Sequence, residues 1–134
     1  MWRRKHVISH TKYERRQFIY SSPTLSTPRG IDVDMEGNVY IVGFDSNNIH
    51  QITSEGEHVR TISTTDFGIS NPWVLRFKPN SAVFLLTSYG TGKIFICKID
   101  WKTNKFSVSK LYIGHFLFLV VVNLTHRKQY HFIC

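Results

Sequence analysis

Asp32, Asp34, Glu36 and Gly37 stand at the relative positions 1, 3, 5 and 6 that open a calcium-binding loop of oxygen ligands. Position 12, where such a loop needs glutamate, is Gly43, and no helical periodicity flanks the segment. The acids therefore read as solvent-facing strand and turn groups. Asp66-Phe67-Gly68 spells a magnesium-binding tripeptide of phosphotransferases, but the catalytic and glycine-rich loops that must accompany it are missing, which leaves a turn. Seven histidines fall into no ligand spacing, no serine sits in a G-x-S-x-G elbow, and neither Cys97 nor Cys134 has a context that would activate a thiol. Two distant cysteines also exclude a zinc ribbon, a RING-type cross-brace and a disulfide framework within the chain. No catalytic residue, cofactor or metal ligand is assigned, and the chain is not expected to be an enzyme.

Charge narrows the partner classes by its placement. The net charge is +8, yet residues 17–70 hold two basic and seven acidic residues, while residues 1–16 hold six basic and one acidic. Residues 71–134 carry nine basic and one acidic residue, so the positive charge sits at the two ends. Met1-Trp2-Arg3-Arg4-Lys5-His6 has the charge of a signal peptide's leading region, but only Val7 and Ile8 follow where a long apolar core is required. The chain is expected to be cytoplasmic, and the Asn123-Leu124-Thr125 sequon then carries no weight.

The elements that must position any site come from a repeat. Pro28-Arg29-Gly30-Ile31-Asp32-Val33-Asp34 leads through a Gly37-Asn38 turn into Val39-Tyr40-Ile41-Val42. Pro72-Trp73-Val74-Leu75-Arg76-Phe77-Lys78 leads through Asn80-Ser81-Ala82 into Val83-Phe84-Leu85-Leu86, at an offset read as 44 residues throughout. Further strands are expected at 49–53 and 58–62 in the first copy and at 94–99 and 106–112 in the second, with short strands at 7–8 and 17–20 before them. A period of about 40–45 residues holding four short strands is the pattern of a β-propeller blade, and a ring needs about 4–8 of these. The expected fold is all-β, an incomplete β-propeller of about two to three four-stranded antiparallel blades with an irregular C-terminal tail. Residues 1–27 are read as outer strands of a partial preceding blade and a linker, 28–70 and 71–112 as blades, and 113–134 as an apolar and basic tail. The apolar run from Ile113 to Leu124 is 12 residues, short of the about 20 a membrane span requires, so no membrane is expected. An open arc leaves strand edges and apolar faces uncovered, and self-association through them, or a poorly folded monomer, is expected.

Proline, any residue, glycine, an apolar residue, any residue, valine, aspartate, then glycine-asparagine and a strand resembles the NHL repeat. Residues 28–62 are similar to one whole repeat and 72–112 to a degenerate second. The family's loop asparagine is matched by Asn47, whereas its aspartate after the second strand falls on Gly43 and its basic residue on Asn48. In the second copy those two places are read as Thr87 and Lys93, and the turn glycines become Val74 and Ser81. The resemblance implies a propeller like those of tripartite-motif ubiquitin ligases, which recruit protein or RNA while a RING elsewhere performs ligation.

In such a propeller the loops entering the inner strand and those between the second and third strands crowd one rim. That places Arg29, Phe44, Asn47, Trp73 and Tyr89 together as candidate partner-binding residues, aromatic and Arg groups being efficient contact anchors. The competing expectation is that the aromatics only pack between neighbouring blades. The acidic central region favours a protein partner. Single-stranded RNA is the alternative, drawing on the basic ends, and a fragment of a metal-dependent lactonase-like propeller is a third reading.

Overall fold

The computed structural model describes residues 6–10, 16–100, 102–103, 105–113 and 130–133. Residue 114 onward of the apolar run, the sequon at Asn123 and Cys134 lie outside them. The strands in chain order are β1 (His6–His10), β2 (Arg16–Ser21), β3 (Pro28–Val33), β4 (Val39–Gly43), β5 (Asn48–Ile52), β6 (His58–Ser63), β7 (Pro72–Phe77), β8 (Val83–Ser88), β9 (Lys93–Asp100), β10 (Lys105–Ile113) and β11 (Tyr130–Ile133). Among the described residues there is no α-helix, and one 3-10 turn, Thr65–Phe67, takes up the Asp66-Phe67-Gly68 tripeptide. All ladders are antiparallel. They form a central sheet in the order β3-β4-β5-β6, a second four-stranded sheet in the order β10-β9-β8-β7, and a three-stranded sheet in the order β11-β1-β2. The sheets do not close on one another.

The central sheet is covered on both faces. One face carries Ile31, Val33, Val39, Ile41 and Ile52 against Val7, Phe18, Tyr20 and Leu25. The opposite face carries Tyr40, Val42, Ile49 and Ile62 against Leu75, Phe77, Phe84, Leu86 and Cys97 of the second sheet. This explains why Val39-Tyr40-Ile41-Val42 is an unbroken apolar run: a strand covered on both sides has no solvent face to mark with alternation. Cys97 lies in this core with its thiol pushed up to about 12 by burial, which keeps it protonated and inert.

The two four-stranded sheets repeat each other in fine detail. Both first strands begin at proline and shift register before the next paired position, between Pro28 and Ile31 and between Pro72 and Leu75. Proline is tolerated there because β3 and β7 are edge strands, so the ladder needs no N–H from it. This puts the start of β3 at Pro28, three residues before the expected Ile31. The residues before the prolines, Thr27 and Asn71, both have left-handed φ, 54° and 46°. Their carbonyls accept the N–H groups of Phe44 and Tyr89 at 3.0 Å.

The ladders correct the offset. Val33 faces Val39 and Ile31 faces Ile41, whereas Phe77 faces Phe84 and Leu75 faces Leu86. The offset is thus 44 for the first strand and 45 for the second and third, because the turn after Phe77 is one residue longer than the turn after Val33, and it grows to 50 in the fourth, where Tyr112 faces Ile94 as Ile62 faces Ile49. A one-residue slip exchanges the faces of a strand. Phe84 therefore takes the place of Val39, not Tyr40, and the counterpart of Gly43 is Ser88, not Thr87.

Two further expectations change. Asp32 and Asp34, read as solvent-facing, are both 4 % exposed. Asp34 accepts the N–H of Glu36 and of Asn38 on Oδ1, and the Asn38 amide and the Tyr40 hydroxyl on Oδ2. Asp32 accepts the Val33 N–H on Oδ1 and, at 2.8 Å, the Phe77 N–H of the second sheet on Oδ2. Buried carboxylates persist where backbone donors meet them, and these close a turn and a seam. Residues 130–133, read as part of an irregular tail, form β11 instead and pair with β1 from His6↔Ile133 to Ser9↔Tyr130.

The seam between β3 and β7 depends on a glycine. A Cβ at Gly30 would stand 2.6 Å from the Trp73 carbonyl oxygen and 2.9 Å from the Leu75 nitrogen, both backbone atoms that cannot rotate away. Gly30→Ala is expected to lower unfolding free energy by about 1–3 kcal/mol, the usual cost of overpacking. Chemical denaturation measures it, and an unchanged midpoint would show that the two strands can separate freely.

Candidate functional site

The close approach of β3 and β7 brings four of the five candidate residues into one cluster. Arg29 lies on β3, Trp73 on β7, and Phe44 and Tyr89 occupy the matching first positions after β4 and β8. The Arg29 guanidinium carbon sits 4.7 Å from the Trp73 ring centroid and 5.8 Å from that of Phe44. Phe44 meets Trp73 edge-on at 5.4 Å and Tyr89 edge-on at 5.6 Å, and Trp73 stacks on Tyr89 at 4.6 Å with 24° between the planes. Such aromatic pairs each add about 0.5–1.5 kcal/mol beyond their burial, and an exposed cation over a ring about 0.5–1 kcal/mol.

The aromatics divide between packing and exposure. Phe44 and Trp73 are half-buried and knit the two sheets together, while Tyr89 is 59 % exposed and Arg29 is exposed. The rings thus form a fixed platform with one polar edge in solvent.

Asn47 acts beneath this platform. Its backbone is left-handed, with φ at 51°, a conformation that asparagine tolerates better than most residues. Its side-chain oxygen accepts the Asn71 N–H at 2.7 Å, and its carbonyl accepts the Thr64 N–H at 2.9 Å. The Asn71 amide in turn reaches the Phe44 carbonyl at 3.5 Å. Asn47 therefore ties the loop after β4 to the start of β7 and fixes where Phe44 and Trp73 meet.

At Gly43 and Asn48 uncharged groups close the central sheet. Ser46 donates to Asn48 Oδ1 at 2.7 Å and receives the Ser26 N–H at 2.9 Å, and the Asn48 amide donates to the Thr24 carbonyl at 2.8 Å. In the second sheet Ser88 donates to the Ser70 carbonyl at 2.6 Å. Gly43 leaves the room, since a Cβ there would collide with the side chains of Ser46 and Asn48.

A buried polar group escaped the sequence reading. His50 on β5 is fully buried, with Nδ1 2.8 Å from the Tyr20 hydroxyl and Nε2 3.3 Å from the Asn48 amide and 3.4 Å from Thr24 Oγ1. Since the Asn48 amide nitrogen only donates, Nε2 is assigned as the acceptor, which puts the ring proton on Nδ1 toward Tyr20. Burial, assisted by the neighbouring His58, pulls His50 from the ordinary 6.5 down to about 4. No spacing rule marks such a residue, because its partners Tyr20 and Asn48 are distant in sequence or lie on its own strand. Among the described residues no three histidine, cysteine, aspartate or glutamate side chains converge as a metal-binding group.

No protein-family model and no curated protein matches the chain.

The rim offers an anchored aromatic surface, and within the central sheet burial holds His50 neutral. Because the folded-state value of His50 lies below its unfolded value, its contribution is complete above about pH 6.5 and is lost as pH falls toward 4. Urea unfolding at pH 7 and pH 4 is expected to show a loss on the order of 2–3 kcal/mol from this residue, absent in His50→Gln. Equal losses in the two proteins would remove His50 as the cause.

Proposed function

We propose that the chain is part of an NHL-type β-propeller that recruits a protein partner through the rim formed by Arg29, Phe44, Trp73 and Tyr89. The observation that carries the reading is the convergence of these four groups from two successive sheets into one surface. Two features support the propeller part: four-stranded antiparallel sheets whose first three strands recur at a period of 44 to 45 residues, and the shared proline start, left-handed residue and bulge.

A rim of this composition suits a protein better than single-stranded RNA. Tracking a phosphate backbone takes a row of cations, while Arg29 is the cluster's one cation and the Asp45 carboxylate, which receives the Thr27 hydroxyl, belongs to the turn that also carries Phe44. A Trp and a Tyr beside an Arg are the residue types most enriched in binding hot spots. The captured protein would be a substrate for ubiquitin transfer carried out by other domains.

Arg29→Ala and Trp73→Ala in the full-length protein are expected to lower partner capture by at least about tenfold each, as hot-spot truncations do. Pull-down with quantitative mass spectrometry reads this, with thermal melting confirming the fold. Unchanged capture would remove the rim. Capture of RNA, weakening steeply as salt rises, would replace the protein reading with the nucleic-acid one.

A further inference from the structure

The outer face of the β7–β10 sheet is the structural counterpart of a face that already holds a sheet. On the central sheet, Tyr40, Ile49 and Ile62 dock the second sheet. Following the ladders, their counterparts are Leu85, Ile94 and Tyr112. These point away from the central sheet, with Leu85 and Ile94, each 2 % exposed, at the floor and the exposed Tyr112 and the half-buried Val83 and Ile96 along a groove of about 680 Å³. Among the described residues no other sheet packs on it.

The apolar centre is kept, two acids of the polar frame become cations, and a third position stays basic. Asp32, whose carboxylate receives the docked sheet's Phe77 N–H, is replaced by Arg76, and Asp34 by Lys78. The ladder position of Arg60, opposite Gln51, is held by Lys110, opposite Ile96. Lys98 is exposed on the same side of β9, and the one acid there, Asp100, lies at the strand's end and receives the N–H groups of Lys102 and Thr103. Arg76 is held in place by bonds from Nη1 to the carbonyls of Ile31 and Leu75, so its charge is fixed at the groove and no carboxylate among the described residues neutralises it.

We propose that this face docks a protein presenting an apolar β-surface edged with aspartate or glutamate. The inference rests on the internal repeat and is independent of the rim described above. An incoming backbone N–H finds a guanidinium where the central sheet offers a carboxylate, so a sheet framed like the second one is refused. A carboxylate placed there meets Arg76 from the front, with Lys78 and Lys110 on either side. A second copy turned face to face would set these cations against their own equivalents and is disfavoured by the same charges.

The test uses the full chain and a fluorescein-labelled β-hairpin peptide with valines at the centre of one face and glutamates at its ends, followed by anisotropy. Binding is expected, weakening at least about tenfold from low to high salt, as screened charge contacts do. It should fall by at least about tenfold in the Lys78→Glu/Lys110→Glu variant, whose substitutions lie at exposed positions and spare the core. A hairpin with lysines in place of the glutamates should show the reverse preference. Equal binding of the two hairpins by the native chain would overturn the proposal. So would undiminished binding of the acidic hairpin by the variant. No binding by the full chain would leave the face to its own residues 114–129 or to nothing, and a dimer broken by Tyr112→Glu would assign it to a second copy; either result also overturns the proposal.

Discussion

The seam between β3 and β7 is the contact on which the rest of the structure depends. Two edge strands from different sheets come together without a ladder between them, so their backbone polar groups need other partners. Gly30 permits the distance, the Asp32 carboxylate answers the Phe77 N–H, and Arg76 answers the Ile31 carbonyl in return. Charge-assisted bonds of this kind are short and directional, which fixes the lateral position of one sheet on the other. With that position set, the Trp73 ring meets Arg29, Phe44 and Tyr89.

The same constraint explains why the repeat is conserved unevenly within the chain. The stretch from the left-handed residue through the proline and the bulge is copied closely, because it sets where each first strand starts. The turn that follows is free to change length, and does so by one residue. That change is harmless because β8 and β9 shift together. Phe84, Leu86, Phe95 and Cys97 still share the face of Leu75 and Phe77 and still reach the central sheet.

Much of the fold was legible in residues 28–112. Strands β3 to β10 lie where alternation, apolar runs and Gly, Pro and Asn turns placed them, within one to three residues at their ends. The extra turn residue was not legible, since in Val83-Phe84-Leu85-Leu86 every position is apolar and either face assignment looks equally good. Nor were the buried acids. Asp32 and Asp34 alternate with apolar neighbours as exposed acids do, and what buries them is a second sheet whose arrival a local pattern does not report. His50 is hidden for a related reason, because Tyr20 reaches it from another sheet. The rim residues were placed together on fold geometry alone, and Asn47 was grouped with them although its bonds serve the seam.

A stack of sheets built from a repeat faces a problem of specificity. If each outer face were identical to the last, any sheet could dock on any other, and misordered stacking and aggregation would compete with the intended order. Apolar centres alone do not discriminate, because hydrophobic burial is non-directional. The polar frame around each centre can. Between the central and second sheets it consists of a carboxylate meeting a backbone donor, and on the next face it consists of cations at the same ladder positions. Retaining the volume of the apolar patch while inverting the charge around it keeps the driving force for docking. It also makes a wrong pairing leave an ion without its counter-ion, and burying an unpaired charge is the costliest of these errors. Order along the stack then follows from the sign of two residues per sheet.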